Sequence, residues 1–301
     1  MASATGATTQ QLTIAGAARS YRRYLPVGIT ATKPLPVVIN IHGLGSNVDQ
    51  QAALSAFEPL ADQKQFIVLT PQGLGAVPDW DTAEHNGNVD VQFIGSMLDA
   101  VEASVCVDEA RVYSTGLSDG GIMSSLLACT MGNRIAAIGL VSGIERPDGC
   151  NPGRAMPIIV FWGKQDAILP YCGGLGPALV ALFSGKPVPS STPACPPANF
   201  AGFPPVEDAV ALWTKANGCD AKPVVTQPGS DVEERTFAGC KDAAIVHFYV
   251  VSDGGHTWPG STLLEAASKT QSGAAIFGVT TDQVDATQLI WSFFTHYAVA
   301  G

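Results

Sequence analysis

Positive charge is scarce in this sequence. Of 301 residues only 16 are Lys or Arg, against 26 Asp or Glu, for a formal net charge of -10. The basic residues form no run or patch, which excludes the electrostatic footprint that nucleic acid requires of a partner. An acidic surface also repels strongly anionic polymers, so neutral or weakly charged substrates are favoured. Long apolar runs are missing as well: no stretch approaches the roughly 20 residues of a membrane span. The opening residues, "MASATGATTQQLTI", have neither the basic start nor the apolar core of a leader. No CxxC and no paired histidines suggest zinc, so no metal is expected. Histidine itself is rare, at five residues, which shortens the search for a catalytic base.

What is present is an apolar, turn-rich chain. Hydrophobic residues make up 46% and charged residues 14%, a balance that fits a well-packed α/β protein. The 32 glycines and 21 prolines imply many turns and long ordered loops. Seven cysteines (Cys106, Cys129, Cys150, Cys172, Cys195, Cys219 and Cys240) are scattered through Gly/Pro-rich segments. That scatter suits disulfides of an exported protein, so secretion is expected, with the leader absent from this sequence. The odd count leaves one free thiol, and Cys129, on an apolar helix, is one candidate. A bridge between Cys172 and Cys195 is expected, and another from Cys150 to either Cys106 or Cys129.

Along the chain, strands that are apolar throughout alternate with helices. "PLPVVINIHGLGSN" (34–47), "FIVLTPQGLG", "IAAIGLVSG" (135–143), "MPIIVFWGKQD" (156–166) and "AAIVHFYVVSDGG" read as buried strands running into turns. "QAALSAFEPLADQKQ", "VDVQFIGSMLDAVEASV", "PPVEDAVALWTKANG" and the closing "TTDQVDATQLIWSFFTHYA" read as helices, the last capped by Thr281 or Thr280. This alternation predicts a mostly parallel central sheet flanked by helices on both faces, in one domain over 1–301. The segment 172–205, "CGGLGPALVALFSGKPVPSSTPACPPANFAGFPP", breaks the pattern and reads as a lid-like insertion. In open sheets of this kind ligands bind beyond the carboxyl ends of the strands, so reactive residues should fall just after strands.

"RVYSTGLSDGGIMSSLLA" (111–128) starts as a strand, turns on glycines and continues as a helix. Gly116-Leu117-Ser118-Asp119-Gly120 is G-x-S-x-G, in which small residues let a strand turn sharply and expose the serine at a helix N-terminus. The plain alternative for Ser118 is a helix cap. His256, in "SDGGHTWPG" directly after the last apolar strand, lies where a base should. His247 lies within a strand, His296 in the final helix, His85 in a polar loop, and His42 at a glycine loop it helps to shape. Asp166, after "IIVFWGKQ", is the expected partner of His256, with Glu145 the runner-up. The oxyanion of an acyl transfer needs backbone donors; Leu44 in "HGLGSN" and Asp119 are the candidates. Trp80 in "VPDWDTAEHN" and Trp258 beside the base, with His42, are the candidate substrate contacts, although Trp80 reads equally well as a loop anchor. Trp213 and Trp291 read as core.

"HGLGSN", "RVYSTGLSDGG", "WGKQDAILPY", "VEDAVALWTKANGC" and "GGHTWPG" together resemble the secreted feruloyl esterase and polyhydroxybutyrate depolymerase branch of the α/β-hydrolases. The resemblance runs from "YRRYLP" to "HTWPG". It implies a cofactor-free serine carboxylesterase with Ser118, Asp166 and His256 as its triad, and a disulfide between Cys219 and Cys240. Trp162 stands where relatives often carry histidine, and the 172–205 segment is longer than usual. The expected substrate is a small aromatic ester or a polymer-linked ester, with hydroxycinnamoyl esters of plant cell walls first and a polyester second. An inactive hydrolase fold that only binds carbohydrate or lignin is the remaining alternative. No nucleic-acid or membrane partner is expected, and the protein is expected to be a monomer.

Overall fold

The computed structural model describes residues 5–29, 33–185 and 202–299. Among them ten strands form one sheet in the order β1-β2-β4-β3-β5-β6-β7-β10-β9-β8. The centre is parallel: β3 (Leu35–Ile41), β4 (Ile67–Pro71), β5 (Val107–Leu117), β6 (Ile135–Val141), β7 (Ile158–Gly163) and β10 (Val246–Val251). Each edge is an antiparallel hairpin, β1 (Gly6–Ile14) with β2 (Ala17–Leu25) and β8 (Val224–Gly229) with β9 (Val232–Phe237). The sheet is thus mostly parallel at its centre, as expected, with an antiparallel hairpin added at each edge. β3, β6 and β7 are buried along their whole length, which is why they read as unbroken apolar runs. β1 alternates between partly buried and exposed residues, a weaker signal.

Helices cover both faces. α3 (Val89–Glu102), α4 (Asp119–Thr130) and α6 (Val206–Asn217) place buried residues in one core. α1 (Val48–Ser55), α2 (Phe57–Lys64) and α9 (Ala286–Phe294) fill the other. On α3 the buried residues Phe93, Ile94, Met97, Leu98 and Val101 recur at helical spacing. Each such side chain contributes about 1.5–3 kcal/mol by leaving water. Trp213 and Trp291 are core residues as expected. The helix expected over 51–65 is two helices, because Ala56 adopts a left-handed φ of 51° and re-aims the chain so that Leu54, Phe57 and Leu60 all reach the core. The closing helix starts later than expected. Its N-cap is Asp285, which accepts from Gln288 N–H at 3.1 Å, whereas Thr281 accepts from Gln283 N–H in a preceding turn.

α5 (Pro177–Ser184) lies in the proposed insertion, and residues 186–201 lie outside the described residues, Cys195 and its expected bridge to Cys172 with them. α7 (Thr262–Ser268) and α8 (Gln271–Phe277) separate β10 from α9. Cys129 is bonded to Cys150, and Cys219 to Cys240. Among the described residues the free thiol is the exposed Cys106, not Cys129.

One buried ion pair ties the β2 edge to the helical layer. Arg19 of β2 meets Asp90 of α3 at 2.6 Å, with both side chains almost wholly covered, and the guanidinium lies 4.1 Å from the Phe93 ring centroid. The other oxygen of Asp90 accepts from Asp81 N–H at 2.8 Å. Removing one partner of such a pair strands a buried charge. Arg19→Met should therefore lower stability in urea unfolding by about 3–5 kcal/mol, and adding Asp90→Leu should restore most of the loss. Equal stability of the single variant and the parent would contradict this.

Candidate active site

β5 ends at Leu117 and α4 begins at Asp119, so the chain reverses within one residue, Ser118. Its φ of 58° and ψ of -125° are strained for a residue with a side chain. Close backbone packing enforces them. A Cβ at Gly120 would stand 2.1 Å from Ile41 O, and one at Gly116 would stand 2.4 Å from Gly120 C, so only glycine fits at either position. Ser118 N–H donates to Val141 O at 2.8 Å, fixing the turn to the end of β6. The serine side chain makes no capping bond to α4, which removes the helix-cap reading. Asp119 is the first residue of α4, and the first amides of a helix have no intrahelical acceptor. They face the end of the helix where negative charge is stabilised.

The loop after β3 passes over this elbow. A Cβ on Gly43 would lie 3.2 Å from Ser118 Cβ and 3.8 Å from its Oγ, so Gly43 and Leu44 run beside the nucleophile candidate. His42 is fully buried and both its ring nitrogens are engaged. Nδ1 lies 2.8 Å from Gly43 O and Nε2 accepts from Gly73 N–H at 2.9 Å, which specifies a neutral ring. Burial pushes its pKa below the ordinary value, against smaller opposing effects of Gly43 O and Asp79. His42 therefore braces the loop and does not touch substrate, correcting its expected role.

Asp166 follows β7 and His256 follows β10, neighbours in the sheet. Their loops are laced together: Lys164 N–H donates to Val251 O at 2.9 Å and Gln165 N–H to Gly254 O at 2.9 Å. His256 Nδ1 lies 2.7 Å from Asp166 Oδ2, and the two residues are 3% and 4% exposed. The second carboxylate oxygen accepts from Ile168 N–H and Leu169 N–H, each at 2.8 Å. A carboxylate so fixed holds a histidine in the tautomer with its proton on Nδ1, leaving Nε2 as the base. Glu145, the runner-up acid, is half-buried after β6; burial raises its pKa, and its backbone carbonyl accepts from Trp213 Nε1–H at 2.9 Å.

The tryptophans expected to line a pocket are anchors. Trp258 is 1% exposed, packs edge-on against Phe57 at 6.0 Å and donates Nε1–H to Thr287 Oγ1 at 2.9 Å. It sits in the core and secures the His256 loop from below, which corrects its expected contact with substrate. Trp80, 5% exposed, donates Nε1–H to His42 O at 2.8 Å, so its loop-anchor reading is the one the geometry supports. The segment 73–80 escaped sequence reasoning as a support of the site. Its only sequence signal is the cluster of Gly, Pro and Asp around Trp80.

An accessible serine on a strained turn, donors at a helix N-terminus and a carboxylate-held histidine on neighbouring strand ends suit nucleophilic catalysis. A fluorophosphonate should therefore label Ser118, and Asp166→Asn should slow that labelling by about 10⁴-fold. Equal labelling rates, measured by mass spectrometry of the Ser118 peptide, would remove Asp166 from the site.

Residues 19–168 match the family described as Esterase PHB depolymerase. The chain is 29% identical over 241 residues to feruloyl esterase B of Piromyces equi, covering 77% of this chain and 41% of that protein. It thus spans less than half of that relative's length. It is 31% identical over 212 residues to "Probable feruloyl esterase C" of Aspergillus clavatus, covering 68% of this chain and 72% of the relative. An acetyl xylan esterase structure from Aspergillus awamori shares the fold, with a TM-score of 0.58 at 17% identity over 83% of this chain and 94% of that one. Matched to such a relative over most of both chains, this chain belongs to the feruloyl esterase and PHB depolymerase family of α/β-hydrolases, a group of carboxylic ester hydrolases.

Proposed function

We propose that this protein is an exported serine esterase that releases ferulic-type acids from plant cell-wall polysaccharide through an acyl-enzyme. The observation that carries the reading is the buried 2.7 Å hydrogen bond between His256 and Asp166, at the ends of β10 and β7, on the same sheet as the β5 end that carries Ser118. Ser118 Oγ attacks the ester carbonyl while His256 Nε2 takes its proton. The tetrahedral oxyanion is held by the amides of Leu44 and Asp119. Its collapse breaks the bond to the alcohol, which leaves with the proton from His256. Water, deprotonated by His256, then attacks the acyl-serine; the acid departs and Ser118 regains its proton. Each stage balances without a cofactor.

Support for the hydroxycinnamoyl substrate comes from the relatives named feruloyl esterases. Support for export comes from the Cys129–Cys150 and Cys219–Cys240 bridges, which persist in oxidising compartments. The family description favours a second reading, a polyester depolymerase. In either case Ser118→Ala should lower kcat/KM for p-nitrophenyl acetate by about 10³-fold or more while the circular dichroism spectrum is unchanged. Parallel assays on methyl ferulate and a polyhydroxybutyrate film separate the substrates. Release of ferulate supports the first reading; hydrolysis of the film alone replaces it with the second.

A further inference from the structure

The turn that follows β4 is apolar where turns are ordinarily polar. Leu74-Gly75-Ala76-Val77-Pro78 carries no hydrogen-bonding side chain, and its first four residues are exposed, Leu74 at 44% and Val77 at 57%. A single exposed apolar side chain needs no explanation. An unbroken exposed run does, because it is out of place in a turn unless the surface has a use.

The run is also rigid, and it stands beside the proposed nucleophile. Leu74 and Asp79 form an antiparallel bridge, in which Asp79 N–H donates to Leu74 O at 3.0 Å. A Cβ on Gly73, at the base of the turn, would meet Asp79 O at 2.7 Å, so only glycine lets the two arms close. Three further bonds pin the turn to the loop after β3. Gly45 N–H donates to Pro78 O at 2.8 Å, Gly73 N–H to His42 Nε2 at 2.9 Å, and Trp80 Nε1–H to His42 O at 2.8 Å. A Cβ on Gly45 would lie 3.5 Å from Val77 Cγ1, and one on Gly43 lies 3.2 Å from Ser118 Cβ. Two residues span about 7 Å at most. Val77 and Ser118 therefore pack against opposite ends of one short segment, Gly43-Leu44-Gly45.

We propose that the 74–78 turn is the acyl-side wall of the site, with Leu74 and Val77 receiving the aromatic ring of a hydroxycinnamoyl ester. The proposal rests on the reading of Ser118 as nucleophile and of the substrate as such an ester. Chemistry decides which half of the ester the turn takes. The alcohol half, a polysaccharide, presents hydroxyl groups, which lose hydration without return against a surface that has no polar side chain. The acyl half presents a flat ring set beyond a two-carbon spacer, as Val77 is set away from Ser118. Covering that ring against Leu74 and Val77 removes apolar surface of both partners from water. Because the turn is fixed before the substrate arrives, little ordering is lost on contact.

Three esters test the assignment. Methyl ferulate has a large acyl group and a small alcohol, p-nitrophenyl acetate has the reverse, and methyl acetate is small on both sides. The test variant combines Leu74→Ser with Val77→Ser, exposed positions that the fold tolerates. Its kcat/KM for methyl ferulate, divided by that for methyl acetate, should fall about tenfold below the wild-type ratio, with the loss in KM. The same ratio for p-nitrophenyl acetate should hold. Combining Leu74→Met with Val77→Ile keeps the wall apolar and should retain the wild-type ferulate ratio.

A ferulate ratio unmoved in the serine variant overturns the wall and leaves the esterase reading standing. An equal fall on all three esters also overturns it, because the turn then only supports the loop after β3. A fall confined to p-nitrophenyl acetate overturns it by giving the turn to the alcohol half. Wild-type protein that hydrolyses methyl acetate but not methyl ferulate removes the hydroxycinnamoyl reading and the proposal together.

Discussion

The site at the carboxyl edge of the sheet depends on a backbone crossing too close for any side chain. Gly120 lies against the end of β3, where a Cβ would stand 2.1 Å from Ile41 O. That contact drives α4 down onto the sheet and leaves Ser118 to absorb the whole reversal at a φ of 58°. Strain of this kind persists only when the surroundings over-determine it. Here the surroundings are the fully buried β3 and β6 on either side of β5, with α4 buried through most of its length. The core is thus the reservoir that keeps the serine on its strained turn and partly exposed.

From that crossing the other groups follow by register. β7 and β10 pair from Val246↔Ile158 to Val251↔Gly163, so the loops leaving them start level. Asp166 comes three residues past Gly163 and His256 five past Val251. Trp258 and Trp80 then act as pegs, one fixing the His256 loop to Thr287 and the other fixing the loop after β3 through His42. Neither flat ring is free to meet an acyl group.

Much of this was legible in the chain because the physics is local. G-x-S-x-G requires small residues at close crossings. Unbroken apolar runs such as "LPVVINI" require burial on both faces, and strand ends mark where reactive groups emerge. The misreadings arose where tertiary contacts decide. "VVTQPG" forms β8 although almost all of it is exposed, so no burial pattern announced it. Trp258 looked like a pocket residue because it lies two positions from His256, yet contacts with Phe57 and Thr287, distant in sequence, hold it in the core. Cys129 stood both as a candidate free thiol and as one of two candidate partners of Cys150; the structure bonds it to Cys150, 4.9 Å away between Cα atoms, a choice that spacing alone left open.

The central claim is that an acyl group is transferred to Ser118. Rapid quenching of the wild-type protein with an activated hydroxycinnamoyl ester, followed by peptide mass spectrometry, observes that transfer directly. The account predicts a covalent acyl adduct on the peptide carrying Ser118, formed within the first turnover and discharged by water. Turnover with no adduct, or an adduct on any other residue, would contradict it.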